Sequence, residues 1–130
     1  MKIVIDTSII IAVLMNEKSK NKIIRLTENA DLIAPNSVKW EIGNVLSAMF
    51  KRDKINLDQA RKALHYYHEI PIHFIDIDLS PPIEIAYKYN IYAYGAYFIV
   101  CAQREQAPLL TLDKNLYNVA QGTGLKTIEV

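Results

Sequence analysis

Short, β-branched apolar segments alternate with segments of helical pattern along the whole chain, and this alternation limits the possible folds. The first such segment, Lys-Ile-Val-Ile before Asp6, has the composition of a buried parallel strand. We expect five strands, at residues 2–5, 32–34, 72–75, 108–111 and 126–130. Parallel strands joined by helices form a sheet that is covered on both faces. The sequence therefore predicts an α/β protein, a three-layer α/β/α sandwich with a central parallel sheet.

Seven helices are expected between these strands. Thr7 and Ser8 have the side chains of helix caps, and so do Asn36 and Ser37 before the most clearly amphipathic segment. The other helices are predicted at residues 17–28, 57–69, 80–89, 93–106 and 113–120. The segment 93–106 is apolar on nearly all sides, which predicts a helix buried on more than one side. No linker, repeat or low-complexity tract interrupts the pattern, so we expect a single domain over residues 1–130.

The composition excludes several classes of protein. Hydrophobic residues make up 51% of the chain and charged residues 22%, which is ordinary for a globular protein and excludes a disordered one. The longest apolar runs, such as residues 9–15, are shorter than the roughly 18 residues that span a bilayer. The chain has one cysteine, Cys101, and begins with a strand rather than a secretion signal. We therefore expect a cytoplasmic protein without disulfides or membrane association.

The charge balance limits how the chain could bind nucleic acid. Fifteen basic and fourteen acidic residues give a net charge of +1, so any such contact must come from a local patch. The sequence contains two basic clusters: Lys18, Lys20, Lys22 and Arg25, and then Lys51, Arg52, Lys54, Arg61 and Lys62. The simpler interpretation of both clusters, as solvated helix faces and ends, is the favoured one.

Three acids have positions that favour a shared site. Asp6 and Asp113 follow the first and fourth expected strands, at the sheet edge where parallel sheets bind ligands. Glu41 lies at the margin of the buried face of its helix, where a carboxylate is costly unless it is paired or binds a metal. Each acid alone could be a helix cap or a partly exposed helix residue. Together they are a donor set suited to Mg²⁺ or Mn²⁺.

Four segments resemble, in order, the successive motifs of PIN domains, and most closely those of the small VapC-like ribonuclease toxins of toxin–antitoxin pairs. They are Ile-Val-Ile-Asp6-Thr-Ser, Trp40-Glu41-Ile-Gly-Asn-Val-Leu46, Tyr94-Gly95-Ala-Tyr-Phe-Ile-Val-Cys-Ala102 and Leu110-Thr-Leu-Asp113-Lys-Asn-Leu116. The resemblance implies a metal-dependent endoribonuclease that acts on an RNA substrate. It implies that Asp6, Glu41 and Asp113 are both catalytic and metal-binding, with Mg²⁺ or Mn²⁺ as the cofactor.

The resemblance also implies roles for neighbouring residues and for partners. Thr7, Ser8 and Thr111 are expected to donate hydrogen bonds around the acids, and Asn115 is expected at the same rim. Members of the family form homodimers and are held inactive by a small antitoxin protein. A homodimer and a cognate antitoxin are therefore expected for this chain.

One position departs from the family pattern. The third motif normally reads Tyr-Asp-Ala, but Gly95 stands here in place of the aspartate. Glu105, the next acid along the same helix, lies about 15 Å away at 1.5 Å per residue. We expect weaker metal binding and impaired catalysis. Gly95 marks either a naturally weakened or inactive member, or a change selected because an active toxin harms the cell that expresses it.

Two other functions remain open at this point. The first is a non-catalytic PIN-like module that binds RNA or an antitoxin, which the loss of the aspartate favours. The second is a DNA nuclease or another phosphodiesterase that uses the same acids.

Overall fold

The computed structural model describes all of residues 1–130 and contains five strands and seven helices. In chain order they are β1 (Lys2–Ile5), α1 (Thr7–Leu14), α2 (Lys20–Thr27), β2 (Asp31–Pro35), α3 (Val38–Lys51), α4 (Leu57–Glu69), β3 (Ile72–Ile75), α5 (Ser80–Tyr89), α6 (Ala93–Glu105), β4 (Leu109–Leu110), α7 (Lys114–Gly122) and β5 (Thr127–Ile128).

All five strands form one parallel sheet in the order β3-β2-β1-β4-β5. β1 is central, with Val4 opposite Ile33 of β2 on one side and Leu109 of β4 on the other. The chain adds β2 and β3 on one side of β1, then crosses back to add β4 and β5 on the other. Between β1 and β4 the direction of winding reverses, and parallel sheets bind ligands at such a point.

Helices cover both faces of this sheet, so the predicted three-layer α/β/α sandwich is confirmed. Right-handed crossovers place α1 to α4 on one face and α5 to α7 on the other. α1 packs against α2, α3 and α4, and α6 packs against α5 and the three strands β1, β2 and β4. No helix is both long enough and apolar enough to span a bilayer.

The core explains why α6 is apolar on nearly all sides. A cluster of 25 buried residues includes Ile3, Val4 and Ile5 of β1 and several residues of α6. Phe98 and Ile99 of α6 are almost inaccessible to solvent. The expected burial of this helix on more than one side is confirmed, because α6 lies between the sheet and α5.

The expected helix caps were partly wrong. Thr7 and Ser8 are the first residues inside α1, and Asp6 is its N-cap, with extended backbone and a side chain that accepts from the Ile9 N–H. Ser37 precedes α3 but makes no capping hydrogen bond, because its backbone is already helical. Its hydroxyl is buried without a partner.

Several element boundaries also differ from the prediction. α2 begins at Lys20 and not at residue 17, because the chain turns after α1 through Asn16, whose φ of 54° is left-handed. β4 and β5 are only two residues long, where four and five were expected. Both lie at one side of the sheet, and the residues just before them still accept inter-strand hydrogen bonds, Pro108 from the Val4 N–H and Lys126 from the Leu109 N–H.

Candidate active site

A cleft of about 560 Å³ opens at the carboxyl end of the sheet, beside β1 and β4. The three acids selected from the sequence all line it, although they come from α1, α3 and the start of α7. The other polar or small residues on its walls include Thr7, Ser8, Glu17, Gly95 and Asn115. Thr111 lies directly behind, buried against Asp6. The fold therefore brings residues separated by more than one hundred positions to one place.

Asp6 is the most enclosed of the acids, with 4% of its surface exposed. Its Oδ1 accepts from the Ser8 hydroxyl at 2.6 Å and from the Ile9 N–H at 3.2 Å. Its Oδ2 accepts from the Thr111 hydroxyl. Burial raises the pKa of Asp6, while the hydrogen bonds from Ser8 and Thr111 oppose the rise. Two hydroxyls and one amide thus hold the carboxyl group in a single orientation.

Ser8 and Thr111 also connect the ends of β1 and β4. The Ser8 hydroxyl accepts from the Leu112 N–H at 2.9 Å, and the Thr111 hydroxyl accepts from the Asp113 N–H at 3.0 Å. Since each hydroxyl donates its one proton to Asp6, each is used both as donor and as acceptor. The loop after β4 is therefore positioned by the same side chains that orient Asp6.

Glu41 extends from α3 toward the same cleft and is half-buried. Its Oε1 accepts from the Thr7 hydroxyl at 3.0 Å, but its Oε2 is buried and has no hydrogen-bond partner. Burial, together with repulsion from Asp6, raises the pKa of Glu41 to about 7, against the lowering effect of Thr7. A carboxylate oxygen with no partner in such a place is costly unless a proton or a cation occupies it.

Asp113 is exposed and caps α7, where its Oδ1 accepts from the Leu116 N–H at 3.1 Å. Asp6 likewise caps α1. Both acids therefore serve as caps and line the cleft, so the two interpretations of each residue do not exclude one another.

The acids do not form a ready-made metal cluster in these side-chain positions. No group of three or more acidic, histidine or cysteine side chains is close enough to hold one ion. Asp6 is turned toward Ser8 and Thr111, and Asp113 toward the start of α7. Carboxylates without a cation between them repel one another. The donor set still fits a hard cation, because its ligands are oxygens and the Glu41 Oε2 lacks a partner.

Gly95 is the third residue of α6 and lies on the wall of the cleft. A Cβ atom built there would lie 3.3 Å from Cδ1 of Leu116 and 3.7 Å from Cδ1 of Ile91. Both neighbours are the ends of flexible side chains, so a larger residue is accommodated by small shifts. An aspartate side chain at this position would extend from the wall of the cleft that the other acids line.

Sequence reasoning missed Glu17, a further carboxylate that lines the cleft. It was expected inside a helix, but it lies in the turn after α1, which returns it toward the site. Tyr92 and Tyr94 also line the cleft and have 88% and 51% of their surfaces exposed.

The raised pKa of Glu41 predicts how stability depends on pH in the metal-free protein. The folded state favours the protonated form of Glu41. Its contribution to the free energy of unfolding is therefore fully present below pH 4.5 and is lost as pH rises through about 7. The free energy of unfolding in chelator should therefore fall between about pH 5 and pH 8. Glu41→Gln should reduce this fall by about 1 kcal/mol, a figure discounted for partial solvent screening.

Urea denaturation at several pH values measures this effect. Asp6 contributes a fall of the same sign, so the Glu41→Gln slope should be smaller than the wild-type slope but not zero. The exposed Glu28 offers a control, and Glu28→Gln should leave the slope unchanged. Equal slopes for wild type and Glu41→Gln would contradict the prediction.

Comparisons with known proteins identify the family to which this fold belongs. A model of the PIN domain family matches residues 3–122. The chain belongs to the PIN domain family. Ribonuclease VapC3 of Pyrobaculum aerophilum is 26% identical to this PIN domain over 121 residues, which cover 89% of this chain and 92% of the relative.

Solved structures with the same fold include proteins of the VapC group. PAE2754 of Pyrobaculum aerophilum superposes with a TM-score of 0.74 at 17% identity, over 98% of this chain and 83% of the other. VapBC2 of Rickettsia felis, bound to a DNA fragment from its promoter, gives 0.65 at 14% identity, over 98% of each chain. Mycobacterium tuberculosis VapC20, a toxin that cleaves the sarcin–ricin loop, gives 0.65 at 12% identity, also over 98% of each. At these identities the comparison shows the PIN fold.

Proposed function

We propose that this PIN-domain protein is a metal-dependent endoribonuclease and the toxin of a type II toxin–antitoxin pair. The observation that carries the proposal is the cleft at the sheet's carboxyl end, which Asp6, Glu41 and Asp113 all line and in which one Glu41 oxygen is buried without a partner. Similarity to Ribonuclease VapC3 supports RNA as the substrate.

Asp6, Glu41 and Asp113 would together hold Mg²⁺ or Mn²⁺. When bound, such an ion polarises the phosphodiester and lowers the pKa of an attacking water. Ser8 and Thr111 are positioning residues, because their hydroxyls orient Asp6. Thr7 has the same role toward Glu41. The exposed Asn115 at the rim is placed to donate to a phosphate oxygen.

Gly95 supports weakened catalysis in this chain. It removes the carboxylate that the family pattern places on α6, on the wall of the cleft that the other acids line. The same observation favours the second candidate, a non-catalytic module that binds RNA or an antitoxin. The two candidates differ in whether the chain turns over RNA when metal is supplied.

The proposed function includes two protein partners, an antitoxin and a second copy of the chain. The structural neighbour VapBC2 is a complex of the kind that this chain would form with an antitoxin. Leu79, Ile83 and Tyr87 recur every four residues on one side of α5, and 65%, 54% and 90% of their surfaces are exposed. We assign this side of α5 to the homodimer contact.

Cleavage of labelled RNA tests the proposal directly. The protein is incubated with an RNA pool and a DNA pool of matched sequence, with Mn²⁺, with Mg²⁺ and with excess chelator. We expect cleavage of RNA only, and only with metal. Cleavage of DNA at an equal rate would indicate a nuclease that does not distinguish RNA from DNA. RNA binding without cleavage would favour the non-catalytic module.

A further inference from the structure

A second cleft, of about 370 Å³, brings together the two basic clusters of the sequence. Lys20 comes from α2 in the first cluster, and Lys62 comes from α4 in the second. They meet because α1 packs against both of these helices. Tyr66, one turn after Lys62 on α4, lies on the same wall, and 47% of its surface is exposed.

This cleft is electropositive. No acidic residue is among its lining residues, which are Val13, Leu14, Asn16, Lys20, Lys62, Tyr66 and Ile70. Neither lysine is in an ion pair, since the three salt bridges of the protein involve Lys2, Arg61 and His65. The Lys20 ammonium donates only to the uncharged Asn16 Oδ1, at 2.6 Å. Two free cations beside an exposed aromatic ring are complementary to a phosphate followed by a base.

This second cleft, called the basic cleft below, lies next to the cleft of the candidate active site. The latter contains Asp6, Glu41 and Asp113 and is called the acidic cleft. Asn16 lines the basic cleft and its neighbour Glu17 lines the acidic cleft, so the turn after α1 forms part of both. Along α1, Asp6 and Leu14 are about 12 Å apart at 1.5 Å per residue. A nucleic-acid strand that leaves the acidic cleft over this turn therefore reaches the two lysines.

We propose that Lys20, Lys62 and Tyr66 form a subsite for the backbone and one base of single-stranded RNA on one side of the scissile phosphate. The inference rests on the proposed ribonuclease function and extends it to a definite path for the substrate. RNA is favoured over an acidic protein segment because the cleft pairs its cations with an aromatic ring and adjoins the acidic site.

The test measures binding of a fluorescent single-stranded RNA in excess chelator, so that no cleavage occurs. Fluorescence anisotropy is recorded over a series of salt concentrations for wild type and for Lys20→Ala/Lys62→Ala. Each phosphate contact to a single strand contributes about 0.7 to the slope of log affinity against log salt, so the slope should fall by about 1.4. Tyr66→Leu should weaken binding about tenfold without changing the slope.

Lys88→Ala/Lys126→Ala is the matched control, because it removes the same charge from residues that line neither cleft. Thermal melting confirms that each variant is folded. An unchanged slope in Lys20→Ala/Lys62→Ala, or an equal fall in the control, would overturn the subsite. If RNA binding is unchanged and binding of polyglutamate is lost, the cleft takes an acidic protein segment and the RNA assignment is wrong.

Cleavage of the RNA pool with Mn²⁺ separates the two proposals. If the wild-type protein cleaves RNA but loss of the two lysines does not change the affinity for RNA, the subsite is disproved and the ribonuclease function is retained. Wild type that neither binds nor cleaves RNA disproves both.

Discussion

Restoring the missing acid by Gly95→Asp should raise Mn²⁺-dependent RNA cleavage by about tenfold to a hundredfold, the range by which residues around metal sites alter activity. Gly95 lies on the wall of the acidic cleft, so the new carboxylate would join Asp6, Glu41 and Asp113. A fourth anionic ligand lowers the metal concentration needed for half-maximal activity. Metal titration of the initial cleavage rate measures both effects.

With Mn²⁺ bound to offset the repulsion among the carboxylates, the same substitution should also stabilise the protein modestly. Residue 95 is in the first turn of α6, where a negative charge interacts favourably with the helix dipole by about 0.3–1 kcal/mol. Replacing glycine adds a further gain of only about 0.3 kcal/mol, because aspartate is itself a weak helix former. The close contact with Leu116, at 3.3 Å from an added Cβ, offsets part of this gain.

Gly95→Asn is the matched control, because it adds nearly the same volume without the charge. It should leave cleavage near the wild-type level. An equal rise in both variants would show that packing against Leu116, rather than a fourth carboxylate, limits activity. If neither variant nor wild type cleaves RNA, the non-catalytic module becomes the better description of this chain.

Asp6→Asn should lower metal-dependent RNA cleavage by a factor on the order of 100 or more, because it removes a charge that no neighbouring group replaces. The Ser8 hydroxyl and the Ile9 N–H can still donate to the amide oxygen, so the side chain is kept in place while its charge and its acceptor for Thr111 are lost. Thermal stabilisation by Mn²⁺ should shrink in parallel, which reports metal binding independently of turnover.

Asp31→Asn makes the same chemical change at an exposed residue that begins β2, at the opposite end of the sheet. It should leave both readouts unchanged. The fold of Asp6→Asn is checked by circular dichroism, since an amide offers one acceptor oxygen where the carboxylate offers two. Full cleavage activity in folded Asp6→Asn would refute the proposed use of this acid.

The fold was predictable because its signals are local. The run before Asp6, the amphipathic pattern of α3 and the apolar surroundings of Phe98 each depend on residues that are neighbours in sequence. Alternation of such segments is compatible with few architectures, and a layered parallel sheet is the principal one. The positions of Asp6 and Asp113 at the sheet edge then follow from the ends of the strands.

The helix caps and the turn after α1 were not predictable in the same way. Thr7, Ser8 and Asp6 are all good capping residues, and only the backbone conformation decides which of them caps. Glu17 was expected in a helix, and the left-handed Asn16 redirects the chain so that it faces the acidic cleft. Such choices depend on small differences in free energy that surrounding packing determines.

By itself the sequence determined the fold class, the order of the elements and the acids that follow β1 and β4, because periodicity and strand ends are properties of adjacent residues. Only the tertiary structure decided that Thr111 orients Asp6, that one oxygen of Glu41 is buried without a partner, and that Lys20 and Lys62 share a cleft. Each of these features depends on segments that are far apart in the chain. Their geometry depends on how helices pack on the sheet, which no local pattern contains.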